Sequence, residues 1–379
     1  MDFSFSEEQE AVRELATRIF TDLATHERLR EIELEADGLN DRFDRKLWAE
    51  LASAGLLGIA LPEDVGGAGL GFIEVALVVE AAGRTAAYVP VIETLATGSL
   101  AIAEFGTDAQ RAAWLPGVVD GSTVVTTALV EPGGSLRIPS VTATPAPGGD
   151  GWRLIGVAPY VPSGLVADLA LVPAAVDGGG AAVFVVDLSL AGISRERQEA
   201  NTGRPEAVLT FADVALGADA LLGPVSAGPD IIDWLILRAT AAVAVAQAGV
   251  ASAAVALVSE YTKSREQFDK PIATFQAVGQ RAADAYVDAE AIRLTAWQAA
   301  WRIDQGLPAD DAVAVAKFWA ADGGQRVVHA AVHLHGGVGV DRDYPLHRHF
   351  LLTKQLELTL GGATDQLLRI GATLAAEPA

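Results

Sequence analysis

An arginine, an aromatic residue and a pair of glycines are the residues of this chain best suited to binding chemistry. Arg265 and Phe268 lie three positions apart, and Gly336 and Gly337 follow a later apolar segment. A guanidinium fork matches the geometry of a diphosphate, and glycine lets backbone approach a ligand closely. Two plainer interpretations stay open: Arg265 could pair with Glu266 or a helix neighbour, and the glycines could form only a tight turn.

Histidines and a second glycine pair offer weaker chemistry. His329 and His333 share a helical face, as a metal-binding pair would, but the chain has no cysteine and no suitably spaced carboxylate. Gly66 and Gly67 follow no clear strand and match no dinucleotide fingerprint. We therefore predict no metal site, and a structural turn at Gly66–Gly67.

Three regions of different periodicity must position these residues. The pattern is helical up to about Pro116, with Ser6 and Gln9 forming a capping box for the first helix. Short β-type runs then extend from Ser122 to about Val225, and long amphipathic helices follow. The predicted strands are Thr123–Val130, Trp152–Val157, Leu169–Pro173, Ala182–Val186 and Ala207–Phe211, with a hairpin loop at Pro145–Gly151. The predicted late helices are Ile231–Thr262, Thr274–Gln305, Asp310–His335 and Pro345–Leu374. This order predicts an α+β fold with domains at 1–121, 122–225 and 226–379.

Composition excludes several classes of protein. A formal net charge of −22 over 379 residues repels nucleic acid and anionic lipid. The opening residues carry no basic signal-peptide region, and apolar stretches are interrupted before they would span a membrane. The absence of cysteine agrees with a reducing compartment. We expect a cytoplasmic protein that binds neither nucleic acid nor membrane.

Three sequence blocks occur in a characteristic order. They are Leu61–Leu70 (LPEDVGGAGL) followed by Glu80–Arg84, Tyr261–Ile272 (YTKSREQFDKPI) followed by Phe275–Val278, and His333–Val340 (HLHGGVGV). Each block is weak alone, but all three in order, with sheet between the first and second, are specific. Over essentially its whole length the chain resembles the acyl-CoA dehydrogenase family.

This resemblance implies a fold, a reaction and partners. The fold would comprise an N-terminal helical domain, a middle β-domain and a C-terminal four-helix bundle, assembled as a dimer of dimers. Family members use FAD to desaturate an acyl-CoA thioester: a carboxylate takes the α-proton, and the flavin takes the β-hydride. An electron-transfer flavoprotein then reoxidises the flavin.

Each FAD in such proteins is shared between two subunits, and the share given to the neighbour is largely present here. The resemblance assigns it to Arg265, Phe268, Gln276, His333, Gly336 and Gly337. Asp269 departs from the family pattern, which has Gly after the Phe. The added charge near the phosphates puts the site in question.

The share kept for the subunit's own flavin is eroded. Val130 and Leu136 replace a hydroxyl residue and an Asp in the turn that faces the ring. In the strand that covers the ring, Tyr160 stands at the Trp position and Pro162 at the Thr position, where proline also removes a backbone donor. The resemblance therefore predicts weak binding of FAD by this chain alone.

The catalytic base is absent from its usual position. Gly361 stands where the family has a Glu, and the alternative site on an earlier helix holds Ala239 and Thr240. Glu357, one helical turn before Gly361, is a candidate for a relocated base. The alternative is that it faces solvent or a partner.

Two functions follow from this pattern, and a third fits less well. The first is a non-catalytic partner that completes the FAD site of a base-bearing subunit, as in the hetero-oligomeric dehydrogenases of actinobacterial steroid catabolism. The second is an autonomous homo-oligomeric dehydrogenase that uses Glu357 or another base. A pure scaffold would not need to retain Arg265 and the Gly336–Gly337 pair.

Overall fold

The computed structural model describes residues 4–35, 42–129, 137–176 and 179–376. Its contacts divide the chain into two compact units. Unit 1 consists of Met1–Arg30, Ala76–Ala87 and Thr240–Ala379, and unit 2 of Glu31–Val75 and Tyr88–Ala239. The domain boundaries predicted from the sequence mark changes in periodicity, whereas these two units are defined by contacts between residues. The predicted boundaries therefore stay a prediction.

The first part of the chain is helical, as its periodicity predicts. Its helices are α1 (Glu7–Leu23), α2 (His26–Glu35), α3 (Arg45–Ser53), α4 (Phe72–Thr85), α5 (Ser99–Phe105) and α6 (Asp108–Val119), with a π-helix at Ile92–Gly98. The predicted capping box is confirmed, because the Gln9 N–H donates to Ser6 Oγ and the Ser6 N–H donates to Gln9 Oε1, both at 3.1 Å. At the predicted turn, a Cβ on Gly67 would lie 2.1 Å from the Leu61 carbonyl oxygen.

The middle of the chain forms a sheet in unit 2. Its strands are β1 (Val125–Thr127), β2 (Thr142–Pro145), β3 (Trp152–Val161), β4 (Leu169–Val176), β5 (Ala181–Asp187), β6 (Ile193–Arg197), β7 (Ala207–Leu216) and β8 (Leu221–Leu222). In the described chain the strand order is β6-β7-β3-β2-β4-β5-β8, and β1 pairs in parallel with β4. The predicted loop Pro145–Gly151 joins the antiparallel strands β2 and β3. Strand β3 runs beyond the predicted Val157, with irregular pairing between Ala158 and Val161.

Long helices return after the sheet. They are α7 (Gly228–Ser264), α8 (Gln276–Asp304), α9 (Asp310–His335), α10 (Leu346–Leu358) and α11 (Ala363–Ala376), with a short hairpin of β9 (Glu266–Gln267) and β10 (Lys270–Pro271) after α7. Within unit 1, α4 crosses α7 at Gly83 and Gly249. A Cβ on Gly83 would lie 2.2 Å from the Ala246 oxygen, and one on Gly249 would lie 2.1 Å from the Glu80 oxygen. Only glycine permits so close a crossing.

Two expectations about these helices are corrected. The single predicted helix Pro345–Leu374 is wrong, because the chain breaks between α10 and α11, where Leu360 has φ 59° and Gly361 has φ 97°. The segment Val225–Ser264 is long and apolar enough to cross a membrane, contrary to the expectation that no stretch reaches that length. However, 78% of its most apolar window is buried inside the structure, as in the core helix of a soluble protein.

Candidate functional site

The residues Arg265 and Phe268 belong to a tight hairpin. The Ile272 N–H donates to the Arg265 oxygen at 2.8 Å and closes the hairpin. Its two central residues, Phe268 and Asp269, have φ values of 55° and 60°. Positive φ at both positions is typical of a type I′ turn, and Asp is among the residues that tolerate it. Asp269 is therefore compatible with an intact hairpin.

The hairpin presents its side chains to solvent. Phe268 is 85% exposed, and its ring meets that of Phe275 edge-on at 6.1 Å between centroids. The Arg265 side chain is also exposed. Within the described residues no carboxylate pairs with its guanidinium, so an Arg265–Glu266 ion pair does not form there. Within the described structure, the guanidinium N–H groups of Arg265 are therefore free to bind a ligand.

The glycine turn directly after α9 is equally open. Gly336 has φ 63° and ψ −139°, a conformation that is essentially restricted to glycine. A Cβ built on Gly336 or Gly337 would meet nothing within 4 Å. His333 in the last turn of α9 and Gln276 at the start of α8 are exposed. The Gly336 N–H donates to the His333 and Val332 oxygens, whereas the side chains of His333 and Gln276 and the backbone of Gly337 can be approached from solvent.

A buried aromatic stack joins the two segments. Tyr261, four residues before Arg265, stacks on His335 with ring centroids 4.4 Å apart, and His335 directly precedes Gly336. His335 Nδ1 lies 2.7 Å from the Ala331 oxygen, so it carries the proton, and Nε2 accepts from the Tyr344 hydroxyl at 3.1 Å. Burial lowers the pKa of His335 and favours this neutral form. The stack therefore holds the hairpin and the glycine turn at one end of unit 1.

The position of the family's base is a strained turn. Gly361 has φ 97°, and a Cβ there would lie 3.1 Å from both Asp365 Cβ and Gln366 Nε2. A glutamate at this position would be strained, whatever space its side chain found. Gly361 thus lacks a carboxylate, and its backbone conformation disfavours a larger side chain.

The polar groups of this turn are bonded within the chain. The Gly361 N–H donates to the Leu358 oxygen at 3.3 Å, and the Gly362 N–H donates to Asp365 Oδ2 at 2.8 Å. Gln366 Nε2 donates to the oxygens of Leu360 and Gly361 at 3.3 and 3.4 Å. Asp365 stands at the third position of α11 and acts as half of a capping box. These backbone donors are therefore not free for a ligand.

The other base candidates are engaged or lack a carboxylate. Glu357 Oε2 accepts from Lys354 Nζ at 2.9 Å, and the Glu357 side chain is 19% exposed. Its backbone oxygen accepts from Lys317 Nζ at 3.0 Å. Ala239 and Thr240 are buried. Sequence reasoning missed Lys317, although a lysine three and four positions from the apolar Ala314 and Val313 was a visible signal.

The residues predicted to face the chain's own flavin lie in unit 2. Tyr160 has φ 55° and is 43% exposed, and its N–H donates to Gln198 Oε1 at 3.1 Å. The Pro162 oxygen accepts from Thr126 Oγ1. Val130 and Leu136 lie outside the described residues.

The histidine pair His329 and His333 lies on α9. The His329 ring meets the Phe350 ring edge-on at 5.2 Å between centroids. Among the described residues there is no group of three or more His, Cys, Asp or Glu that could hold a metal ion.

Comparison with known protein families matches both ends of the chain to one family. The N-terminal domain of acyl-CoA dehydrogenases matches residues 6–122, and their C-terminal domain matches residues 227–375. The chain belongs to the acyl-CoA dehydrogenase family. Members of this family are FAD-dependent oxidoreductases that act on CH–CH bonds, and their fold of N-terminal helices, middle sheet and C-terminal helical bundle is the one described above, as the sequence predicted.

Individual relatives cover the whole chain. Acyl-CoA dehydrogenase FadE27 of Mycobacterium tuberculosis is 41% identical over 396 aligned positions, which include all of both chains. A chain in the crystal structure of the ChsE4-ChsE5 complex from Mycobacterium tuberculosis is 42% identical, with a TM-score of 0.92 and full coverage of both chains. A chain in a variant of the Tcur3481-Tcur3483 steroid acyl-CoA dehydrogenase is 46% identical, with a TM-score of 0.89 and coverage of 97% and 98%.

Proposed function

We propose that this chain is the non-catalytic subunit of a hetero-oligomeric acyl-CoA dehydrogenase and completes the FAD site of a base-bearing subunit. The observation that carries the proposal is the contrast between two turns of unit 1. At Gly361 the usual base side chain is missing, and the nearby Asp365 carboxylate accepts from the Gly362 N–H. At the hairpin the Arg265 guanidinium is exposed, and at Gly336 and Gly337 the backbone is open to solvent, although the Gly336 N–H itself donates to the His333 and Val332 oxygens.

The exposed residues fit a dinucleotide cofactor such as FAD. The Arg265 fork neutralises the diphosphate, and the open backbone at Gly336 and Gly337 allows close approach. Phe268 offers an aromatic face to the adenine, and Gln276 and His333 supply further hydrogen-bond partners. FAD, when bound, supplies the hydride acceptor, while this chain binds and orients it.

The names of two solved relatives support a complex of unlike subunits. ChsE4-ChsE5 is described as a complex, and Tcur3481-Tcur3483 carries a paired name and the word steroid. The complex proposed here is a cytoplasmic heterotetramer that desaturates an acyl-CoA thioester in lipid metabolism, with steroid catabolism as the setting. An electron-transfer flavoprotein reoxidises its flavin.

Cofactor stoichiometry tests the proposal. The chain purified alone holds little FAD, because Tyr160 and Pro162 are poor replacements on its own flavin side. Mixed with a base-bearing relative, it gives one FAD per pair of unlike subunits. Flavin absorbance and protein concentration measure both values, and one full FAD per isolated chain would contradict the proposal.

An autonomous dehydrogenase is the second candidate. It is favoured by the position of Glu357, a part-buried carboxylate in the last turn of α10, four residues before Gly361. The ion pair with Lys354 argues against a free base, and a substitution of Glu357 separates the two functions.

A further inference from the structure

A fully buried lysine lies beneath the turn at the family's base position. Lys317 is 0% exposed in α9, and its Nζ donates to the Glu357 oxygen at 3.0 Å. An ammonium has three donors. Within the described residues, this carbonyl is the one hydrogen-bond acceptor that Lys317 reaches.

The accepting carbonyl lies in the last turn of α10, where helix carbonyls lack intrahelical partners. The charged groups that bear on Lys317 are Glu357 from α10 and Asp365 and Arg369 from α11. The Glu357 carboxylate is already paired with Lys354. Within the described chain, no charged group of α8 bears on Lys317. Lys317 therefore lies where the end of α10 meets the start of α11.

Burial is the main influence on the protonation of Lys317. It lowers the pKa of Lys317 to about 7, against the attraction of Glu357 and Asp365. A charged ammonium that lacks acceptors is costly in such a place, whereas a neutral amine can still donate to the carbonyl. The closed turn has a second unmet polar group, because Gln366 Oε1 is buried without a partner in the described structure.

We propose that Lys317 is a positioning residue for the Leu358–Gly362 turn, which its uncharged amine holds closed and which protonation loosens. The inference goes beyond the proposed function, because it concerns the turn alone and holds whether or not the chain has a catalytic partner.

The direction of the pH effect follows from proton linkage. When the turn opens, Lys317 meets water and regains the ordinary pKa of about 10.4. Between pH 7 and that value the closed turn binds fewer protons than the open one, so closing becomes more favourable as pH rises, by up to about tenfold per pH unit. Below pH 7 both forms are protonated, and the dependence ends.

Hydrogen exchange of the full-length chain, read by mass spectrometry on peptides covering residues 354–369, tests the inference. After correction for the intrinsic exchange rate, protection of this segment rises between pH 7 and pH 9 in the natural chain. In Lys317→Met, which cannot be protonated, protection does not change with pH. In Lys317→Arg, which stays charged, protection is low and also flat.

Two controls separate this effect from general stabilisation. Lys354→Met removes the other lysine near Glu357 and keeps the natural pH slope. Peptides from residues 293–304 of α8 show no matching slope. If the natural chain shows no slope at 354–369, the inference is overturned without recourse to any variant. A natural slope that persists in Lys317→Met also overturns it.

Discussion

At the hairpin after α7, Arg265 and Phe268 extend into solvent, whereas at the α10–α11 turn the N–H groups of Gly361 and Gly362 end on acceptors within the chain. Both segments belong to unit 1. In the hairpin, the residues with positive φ are Phe268 and Asp269 at the exposed tip. In the α10–α11 turn, they are Leu360 and Gly361, which precede the next helix.

Under the proposed function, the difference places the cofactor contacts and the usual base position in separate segments of this chain. The exposed hairpin is supported by its own turn and by the Tyr261–His335 stack. Neither contact involves the turn at Gly361, so a glycine at the base position is compatible with an intact hairpin. A subunit of this kind can contribute to a cofactor site without a base of its own.

Substitution of the hairpin arginine has the largest expected effect. Arg265→Ala removes a charge-assisted contact to a diphosphate, worth about 1.5–3 kcal/mol. We expect the complex to lose about one to two powers of ten in FAD affinity, measured by flavin fluorescence titration. Arg18→Ala, an exposed arginine of α1, is the matched control. Equal FAD retention in both variants would mean that Arg265 is only a surface residue.

The two glycines after α9 distinguish a ligand contact from a structural turn. Gly336→Ala forces a strained conformation, so we expect a loss of about 1–3 kcal/mol in the free energy of unfolding, measured by chemical denaturation. Gly337 has no positive φ and open space at its Cβ position. Gly337→Ala should leave stability unchanged and weaken FAD binding by the complex. If it leaves both unchanged, the glycines serve only the turn.

Restoring the family's glutamate tests the closed turn. Gly361→Glu places a side chain on a backbone with φ 97°, and we expect it to lower the free energy of unfolding by about 1–2 kcal/mol. The isolated variant should not desaturate an acyl-CoA, because it holds little flavin. Gly362→Glu is the control, since its Cβ would have no neighbour nearer than 3.8 Å. Turnover by isolated Gly361→Glu would show that the turn can still act as a base site.

The smallest effect is expected at Glu357. Loss of a general base costs about 10²–10⁴ in rate, whereas loss of the Glu357–Lys354 ion pair costs at most about 1 kcal/mol of stability. Glu357→Gln should therefore leave turnover of the complex within a few-fold, measured per bound FAD. Should desaturation vanish while FAD stays bound, Glu357 is a relocated base and the chain is a catalyst in its own right.

The sequence predicted what depends on periodicity and on local caps. Both ends of α9 and the Ser6–Gln9 box are confirmed, because helix periodicity and capping act over a few residues. The break between α10 and α11 was missed. The apolar pattern continues across it, although the Gly361–Gly362 pair and the Asp365 side chain that bonds the Gly362 N–H mark the break locally.

The sequence named residues of the candidate site but did not predict how they are arranged in space. Arg265 and Gly336 could be named from their blocks, but the Tyr261–His335 stack that joins their segments links α7 to α9. No sequence spacing encodes such a contact. The burial of Lys317 was missed although its helical face signalled it, and its acceptor on α10 depends on packing between helices.

Phe268, 85% exposed at the tip of a hairpin, also has a consequence for how cells make this protein. Under the proposed function the ring lies against the adenine of FAD in the complex, and a newly synthesised copy without a partner leaves it exposed to water. The net charge of −22 makes like copies repel one another and keeps such a copy soluble meanwhile. If the chain and its partner are synthesised in equal amounts, rather than this chain in excess, the Phe268 ring is exposed to water for the shortest time.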